Sequence, residues 1–200
     1  MIIFVIEFFT SETVIIVSKS EVNNSPVKLF DTLRATNDIK QAASDKDFIL
    51  IASPSLFLVS TIKKFADVPS IQSGKTIIGS LTKGFVPSTD DYPKLILETM
   101  ESVLPEIYKD STVYVAGPSH AEEVAMGKIT GLISASKHHR NAVKMRDLLR
   151  TSNCIMAYAS FDPIGVQICA AVKNVIATVY GMLDSLSETS EIFGDNTESL

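Results

Sequence analysis

Apolar and polar positions along this chain follow two habits. Short apolar runs bounded by turn residues read as buried strands: Thr13–Val17 with a second near Ile2–Ile6, then Phe48–Ile51, Thr76–Gly79, Thr112–Ala116, Thr130–Ser134 and Cys154–Tyr158. Between them, apolar residues spaced by three and four predict helices over Asp38–Ala43, Ser55–Phe65, Tyr92–Leu104 and His138–Leu149, the last with a basic face. Glu21–Leu33 has no period and contains Asn-Asn-Ser-Pro, so it reads as a loop. Gly117-Pro118-Ser119 opens a further helix, with Ser119 and Glu122 spaced as a capping box. Strands alternating with helices, without hairpin signals of the Asn-Gly type, predict an α/β domain with a mostly parallel sheet. That domain ends near Ser160, and a helical region begins at Phe161.

The last run dominates the pattern. From Ile164 to Met182 the chain is apolar except mainly for Gln167, Lys173 and Asn174. Asp162 supplies an N-cap and Pro163 the first helical position, where a missing N–H is harmless. A helix apolar on nearly every side belongs in an interior or at an interface. Asp162, Lys173 and Asp184, spaced by eleven, form one polar line along it, the ends about 16 Å from the middle. A lysine there either snorkels out of the core, with Asn174 bonded to backbone, or faces a pocket that binds an anion or polarises an oxygen.

Composition narrows the field. The formal net charge of -5 without a basic block excludes non-specific nucleic-acid binding as a main role. Cys154 and Cys169 lie far apart in apolar contexts, which reads as two buried free thiols, a reducing compartment and no metal site. The apolar N-terminus lacks a basic leader region and is interrupted by Glu7, so it does not read as a signal peptide. Lys173 and Asn174 make membrane insertion of the long helix expensive. The expectation is a soluble, cytoplasmic protein.

In open parallel sheets, ligands lie beyond the carboxyl ends of the strands. Three loops fall there: Ser53–Phe57, Thr82-Lys83-Gly84 and Gly117-Pro118-Ser119-His120. Lys83 could meet a phosphate or a reacting oxygen, or simply be a solvated loop lysine. His120, in a helix's first turn, is held toward its neutral form by the dipole and suits ligand contact, with a surface histidine the equal alternative. The first 70 residues contain no glycine, so the chain has no glycine-rich phosphate loop.

Ordered segments then carry a resemblance. Leu33-Arg34-Ala35-Thr36, Pro54–Phe57, Thr82-Lys83-Gly84, Gly117-Pro118-Ser119-His120-Ala121-Glu122-Glu123-Val124-Ala125, Ile164-Gly165-Val166, Ala170–Ala177 around Lys173-Asn174, and Gly194-Asp195-Asn196-Thr197 together resemble the bacterial NAD(P)-dependent glycerol-3-phosphate dehydrogenase family. The resemblance implies an incomplete Rossmann-like, dinucleotide-binding domain over residues 1–160 and the start of an all-helical substrate domain over 161–200. It implies interconversion of dihydroxyacetone phosphate and sn-glycerol 3-phosphate with NAD or NADP, for glycerophospholipid synthesis. By motif, Lys173 and Lys83 are similar to the family's catalytic lysines, with Lys173 the proton acceptor in oxidation. Ser119, His120, Lys83, Lys173 and Asn174 match substrate contacts, and Pro54, Phe57, Lys83 and Ala121 match cofactor contacts. The implied partner is a small phosphorylated three-carbon substrate; separately, the apolar helix left uncovered predicts aggregation or a homo-oligomer.

The sequence also departs from that family. The glycine-rich turn is absent, and Asp184-Ser185-Leu186-Ser187 stands where the family has Asp-Gly-Leu-Gly. The family's later aspartate and arginine–asparagine pair would fall beyond Leu200. These departures carry the second expectation: a catalytically inactive remnant that binds at most an anion or a partner chain.

Overall fold

The computed structural model describes residues 3–5, 13–16, 33–88, 92–119, 124, 126–150 and 154–189. In chain order the elements are β1 (Ile3–Val5), β2 (Thr13–Ile16), β3 (Leu33–Ala35), α1 (Ile39–Ala43), β4 (Phe48–Ile51), a 3₁₀ turn (Ser55–Phe57), α2 (Leu58–Lys63) and α3 (Pro69–Gln72). There follow β5 (Ile77–Ser80), α4 (Ile96–Glu101), a second 3₁₀ turn (Glu106–Tyr108), β6 (Val113–Ala116), β7 (Thr130–Ala135), α5 (His139–Leu149), β8 (Ile155–Ser160) and α6 (Pro163–Thr189).

The strands form one sheet in the order β3-β2-β1-β4-β5-β6-β7-β8. The parallel pairs β2/β3, β4/β5, β5/β6 and β7/β8 outnumber the antiparallel pairs β1/β2, β1/β4 and β6/β7. A mostly parallel sheet followed by a helical region is the architecture the sequence pattern predicts. Its first strand behaves differently: β1 runs antiparallel to both neighbours. Only the seven residues 6–12 separate β1 from β2, too few for a parallel crossover, which takes a dozen or more.

Two clusters of apolar side chains make the core. One gathers Ile49, Ile51, Leu58, Ile62, Phe65, Ile71, Ile78, Ile96, Met100 and Tyr114. The other packs Leu50, Val113, Val115, Leu132, Met145 and Leu148 on the opposite side of the sheet. β4 is buried at all four positions, which is why its sequence Phe-Ile-Leu-Ile is continuously apolar. Each such side chain contributes about 1.5–3 kcal/mol by leaving water.

Several local expectations change. The helix predicted over Tyr92–Leu104 is confined to α4, because Val86 and Lys94 exchange backbone hydrogen bonds of 2.9 and 3.1 Å and hold the preceding residues extended. Leu33, the last residue of the predicted loop Glu21–Leu33, begins an edge strand, Leu33–Ala35, beside β2. The remainder of that loop and the Ser119–Glu122 capping box lie wholly or partly outside the described residues.

α6 separates the two settings expected for it, the interior and an interface. Its start is as expected: the Gly165 N–H donates to Asp162 Oδ1 at 2.9 Å, and Pro163 is buried. Gly165 is required by that cap, since a Cβ there would sit 2.2 Å from Asp162 Oδ2. The helix as a whole, however, is not buried. Val166, Gln167 and Ala170 pack inward, while Val175, Ile176, Val179, Tyr180, Met182 and Leu183 are exposed. Only one face of its first two turns meets the sheet, and no described element covers the rest. By length and composition it could cross a membrane. Cys169, expected to be buried, is exposed on the same helix, and Cys154 is half-buried.

Candidate functional site

The parallel neighbours β4, β5 and β6 bring their carboxyl ends together, and the loops that leave them are tied to each other. The Leu81 N–H donates to the Ile51 carbonyl at 2.8 Å. Thr82 Oγ1 donates to the Ser53 carbonyl at 2.8 Å, and the Thr82 N–H donates to Ser80 Oγ at 3.1 Å. Tyr114, fully buried on β6, donates its hydroxyl to the Thr82 carbonyl at 3.0 Å. Lys83 is the next residue, and Gly84 beyond it has φ 92°, a conformation that favours glycine.

The third loop is set by a close approach. A Cβ on Gly117 would lie 2.2 Å from the Gly131 carbonyl oxygen, so only glycine lets the chain leave β6 this near β7. The Ser119 N–H then turns back to the Gly117 carbonyl at 2.9 Å.

α6 forms the opposite wall. Gln167 is 3 % exposed and joins two helices: its Oε1 accepts the Leu97 N–H of α4 at 2.9 Å, and its Nε2 donates to the Pro163 carbonyl at 2.8 Å. Val166 and Ala170 pack on the core. Lys173 and Asn174 follow at three and four residues from Ala170, so the same stripe carries them past the edge of the sheet.

Between these walls lies a cavity of about 460 Å³, lined among others by Lys83, Tyr114, Gly117, Pro118, Lys173 and Asn174. Lys83 and Lys173, 90 positions apart in sequence, thus share one cavity with Asn174. The desolvated setting that the apolar sequence leads one to expect for Lys173 is not present: both lysines and Asn174 are exposed at the mouth. Two cations facing one space suit an anion or a developing negative charge. Pro54 and Phe57 form the 3₁₀ corner after β4, exposed and outside the cavity wall, although the Ser53 carbonyl beside them is held by Thr82. Ser119 adjoins Pro118 without lining the cavity. His120 and Ala121 lie outside the described residues.

Sequence reading missed Tyr114, which looks like any strand aromatic, and Gln167, which looks like a polar interruption. It also missed Ser53, whose Oγ is buried and has no hydrogen-bond partner.

The chain has counterparts among known proteins. The profile described as NAD-dependent glycerol-3-phosphate dehydrogenase N-terminus matches residues 8–142, and the corresponding C-terminus profile matches residues 162–200. The chain belongs to the NAD-dependent glycerol-3-phosphate dehydrogenase family. It is 49% identical over 179 residues to glycerol-3-phosphate dehydrogenase (NAD(P)+) of Treponema denticola, covering 86% of this chain and 50% of the relative. The Bacillus subtilis enzyme of the same name is 35% identical over 173 residues, covering 86% and 47%. The crystal structure of glycerol-3-phosphate dehydrogenase from Coxiella burnetii superposes with a TM-score of 0.65 at 26% identity, covering 83% of this chain and 47% of that one. The chain thus spans about half the length of the curated relatives it matches.

Family membership implies NAD(P), and the two ends of such a cofactor meet different fits here. The carboxyl ends of β4–β6 offer the cavity and, apart from its lining, an unsatisfied buried Ser53 hydroxyl. At the pyrophosphate end the sequence has no glycine before Gly74, and β1 is not followed by a parallel crossover. The glycine-rich cradle that would let backbone approach a pyrophosphate has no counterpart in this sequence.

Proposed function

We propose that this chain serves the interconversion of dihydroxyacetone phosphate and sn-glycerol 3-phosphate with NAD(P)(H), a step that supplies glycerophospholipid synthesis. The observation that carries this reading is the meeting of Lys83, Lys173 and Asn174 at one cavity in a chain of this family. Bound NAD(P) would supply the hydride donor or acceptor. Lys173, as the neutral amine, takes the proton of the C2 hydroxyl in the oxidation direction and, as the ammonium, returns it in reduction. Lys83 neutralises the substrate phosphate or the alkoxide developing at C2. Asn174 adds a hydrogen bond to substrate, and Ser119 with His120 flanks it. Pro54, Phe57 and Ala121 contribute cofactor contacts. On this reading the sheet domain ends near Ser160 and α6 begins the substrate domain.

The reading also sets α6 against protein rather than lipid, because Lys173 and Asn174 near its middle would each be expensive in hydrocarbon. On it the protein is soluble and cytoplasmic, and the open apolar face of α6 is where a second copy would associate.

A second reading is favoured by the reversed β1: a substrate-binding chain without turnover. Calorimetry on the chain with NADH, NADPH and dihydroxyacetone phosphate separates the two. Micromolar cofactor binding and turnover lost in Lys173→Ala support the dehydrogenase. Phosphate-ester binding with only millimolar or no cofactor affinity supports the second reading, and turnover retained in Lys173→Ala removes that lysine from its role.

A further inference from the structure

Strand β5 is clamped at both ends by buried tyrosine hydroxyls. Tyr108 donates to the Thr76 carbonyl just before the strand at 2.9 Å, and Tyr114 donates to the Thr82 carbonyl just after it at 3.0 Å. The two tyrosines are 3 % and 0 % exposed and belong to the same core cluster. Burial raises the pKa of both phenols, so both remain donors over the working pH range.

The two clamps act on different peptides. The carbonyl of Thr82 belongs to the peptide unit whose N–H is that of Lys83. Fixing that carbonyl fixes the whole plane, because the unit is rigid, and with it the positions of the Lys83 nitrogen and Cα from which the side chain departs. The clamp is needed where it stands: Gly84 adopts φ 92°, nothing lies within 4 Å of where its Cβ would be, and Lys83 itself is exposed. Thr82 is further held from the β4 side through its Oγ1 to the Ser53 carbonyl. Tyr108, by contrast, grips a peptide at the far end of the strand.

We propose that Tyr114 is a positioning residue for Lys83, acting through the Thr82–Lys83 peptide to aim the lysine into the cavity it shares with Lys173. The functional weight of this rests on Lys83 being a substrate contact; the mechanical part does not. Tyr114 touches no reacting atom in this scheme. Its hydroxyl restrains the backbone that carries Lys83, so that less loop freedom is lost when an anion binds.

The test compares Tyr114→Phe with Tyr108→Phe, each removing one buried hydroxyl of the same core at nearly constant volume. Nitrogen-15 relaxation on the full chain without ligand reads the Lys83 and Gly84 amides directly. In Tyr114→Phe their order parameters should fall from the rigid range of about 0.85 toward that of a mobile loop, and in Tyr108→Phe they should stay as in the unmutated chain. Calorimetry with dihydroxyacetone phosphate should show roughly 3- to 10-fold weaker binding for Tyr114→Phe and less than about 2-fold change for Tyr108→Phe. Unchanged Lys83 amides in Tyr114→Phe, or equal loosening in both variants, overturn the proposal. If Tyr114→Phe does not fold, the carbonyl carbon-13 shift of Thr82 in the unmutated chain decides: a hydrogen-bonded acceptor shift supports the clamp, and a free one overturns it. Lys83→Ala separates the two layers, since undiminished affinity there rejects the substrate role of Lys83 while the relaxation result still judges Tyr114.

Discussion

The two lysines of the cavity stand on unlike ground. Lys83 leaves a corner where three strand ends are knotted by buried hydroxyls of Ser80, Thr82 and Tyr114. Lys173 stands on α6 beyond the last core contacts at Val166, Gln167 and Ala170, with apolar neighbours open to solvent. One wall is held by several hydrogen bonds that tie neighbouring strand ends together. The other is a lever fastened at one end. A site built this way owes its Lys83 side to the sheet and its Lys173 side to a single helix anchorage.

That contrast can be broken from either side. The largest effect is expected at Gly117, where Gly117→Ala drives a Cβ to 2.2 Å from the Gly131 carbonyl oxygen. Backbone must shift, and urea denaturation should show a loss of more than about 3 kcal/mol. A loss under about 1 kcal/mol would mean that the strand-end wall is softer than its hydrogen bonds imply.

The next effect is a pH dependence confined to the sheet body. Burial pushes the Tyr108 hydroxyl up to about 12 from an ordinary value of 10.0, and raises that of Tyr114 as well. The folded state therefore holds these protons more tightly than the unfolded chain. The associated stability is complete below about pH 10 and is lost as pH rises toward 12, on the order of 2–3 kcal/mol for Tyr108. Denaturation midpoints between pH 9 and 12, at about half-unit steps, should fall in the parent. They should fall less in Tyr108→Phe.

At the anchorage of α6, Gln167→Ala strands the buried Leu97 N–H and should cost about 1–3 kcal/mol. Hydrogen exchange should then quicken along α6 and leave β4–β6 unaffected; uniform quickening would show that helix and sheet form one cooperative unit. The smallest effect belongs to the outer face of α6. Val175→Ser and Val179→Ser remove exposed side chains, so stability at low concentration should stay within about 0.5 kcal/mol of the parent. Hydrophobic-dye binding and self-association, measured by sedimentation, should fall in both variants. A loss near 2 kcal/mol in dilute solution would show that this face is already covered.

Much of this arrangement is legible in residue order. Asp162-Pro163 announces the start of α6, and its cap is made as the pattern implies. Phe48–Ile51 is a strand with the predicted limits. The spacing of Lys173 and Asn174 behind Ala170 puts them on the stripe that faces the strand ends. These follow from local rules, in which periodicity and capping act within one element. Tyr114 and Gln167 were not legible because their partners lie 32 and 70 positions away, and nothing near either residue specifies a distant carbonyl or amide.

By itself, then, the sequence determined most element types and the family, because those depend on local pattern and motif order, and it offered Lys83 and Lys173 as candidates through the resemblance. Only tertiary structure decided three things. The shortness of the connection after β1 is visible in sequence, but the reversal of that strand between its neighbours is a pairing choice across the sheet. The exposure of α6 depends on what packs against it, which hydrophobicity alone cannot supply. Lys83 and Lys173 come to one cavity because parallel strands align their carboxyl ends and a buried glutamine fixes the helix across them.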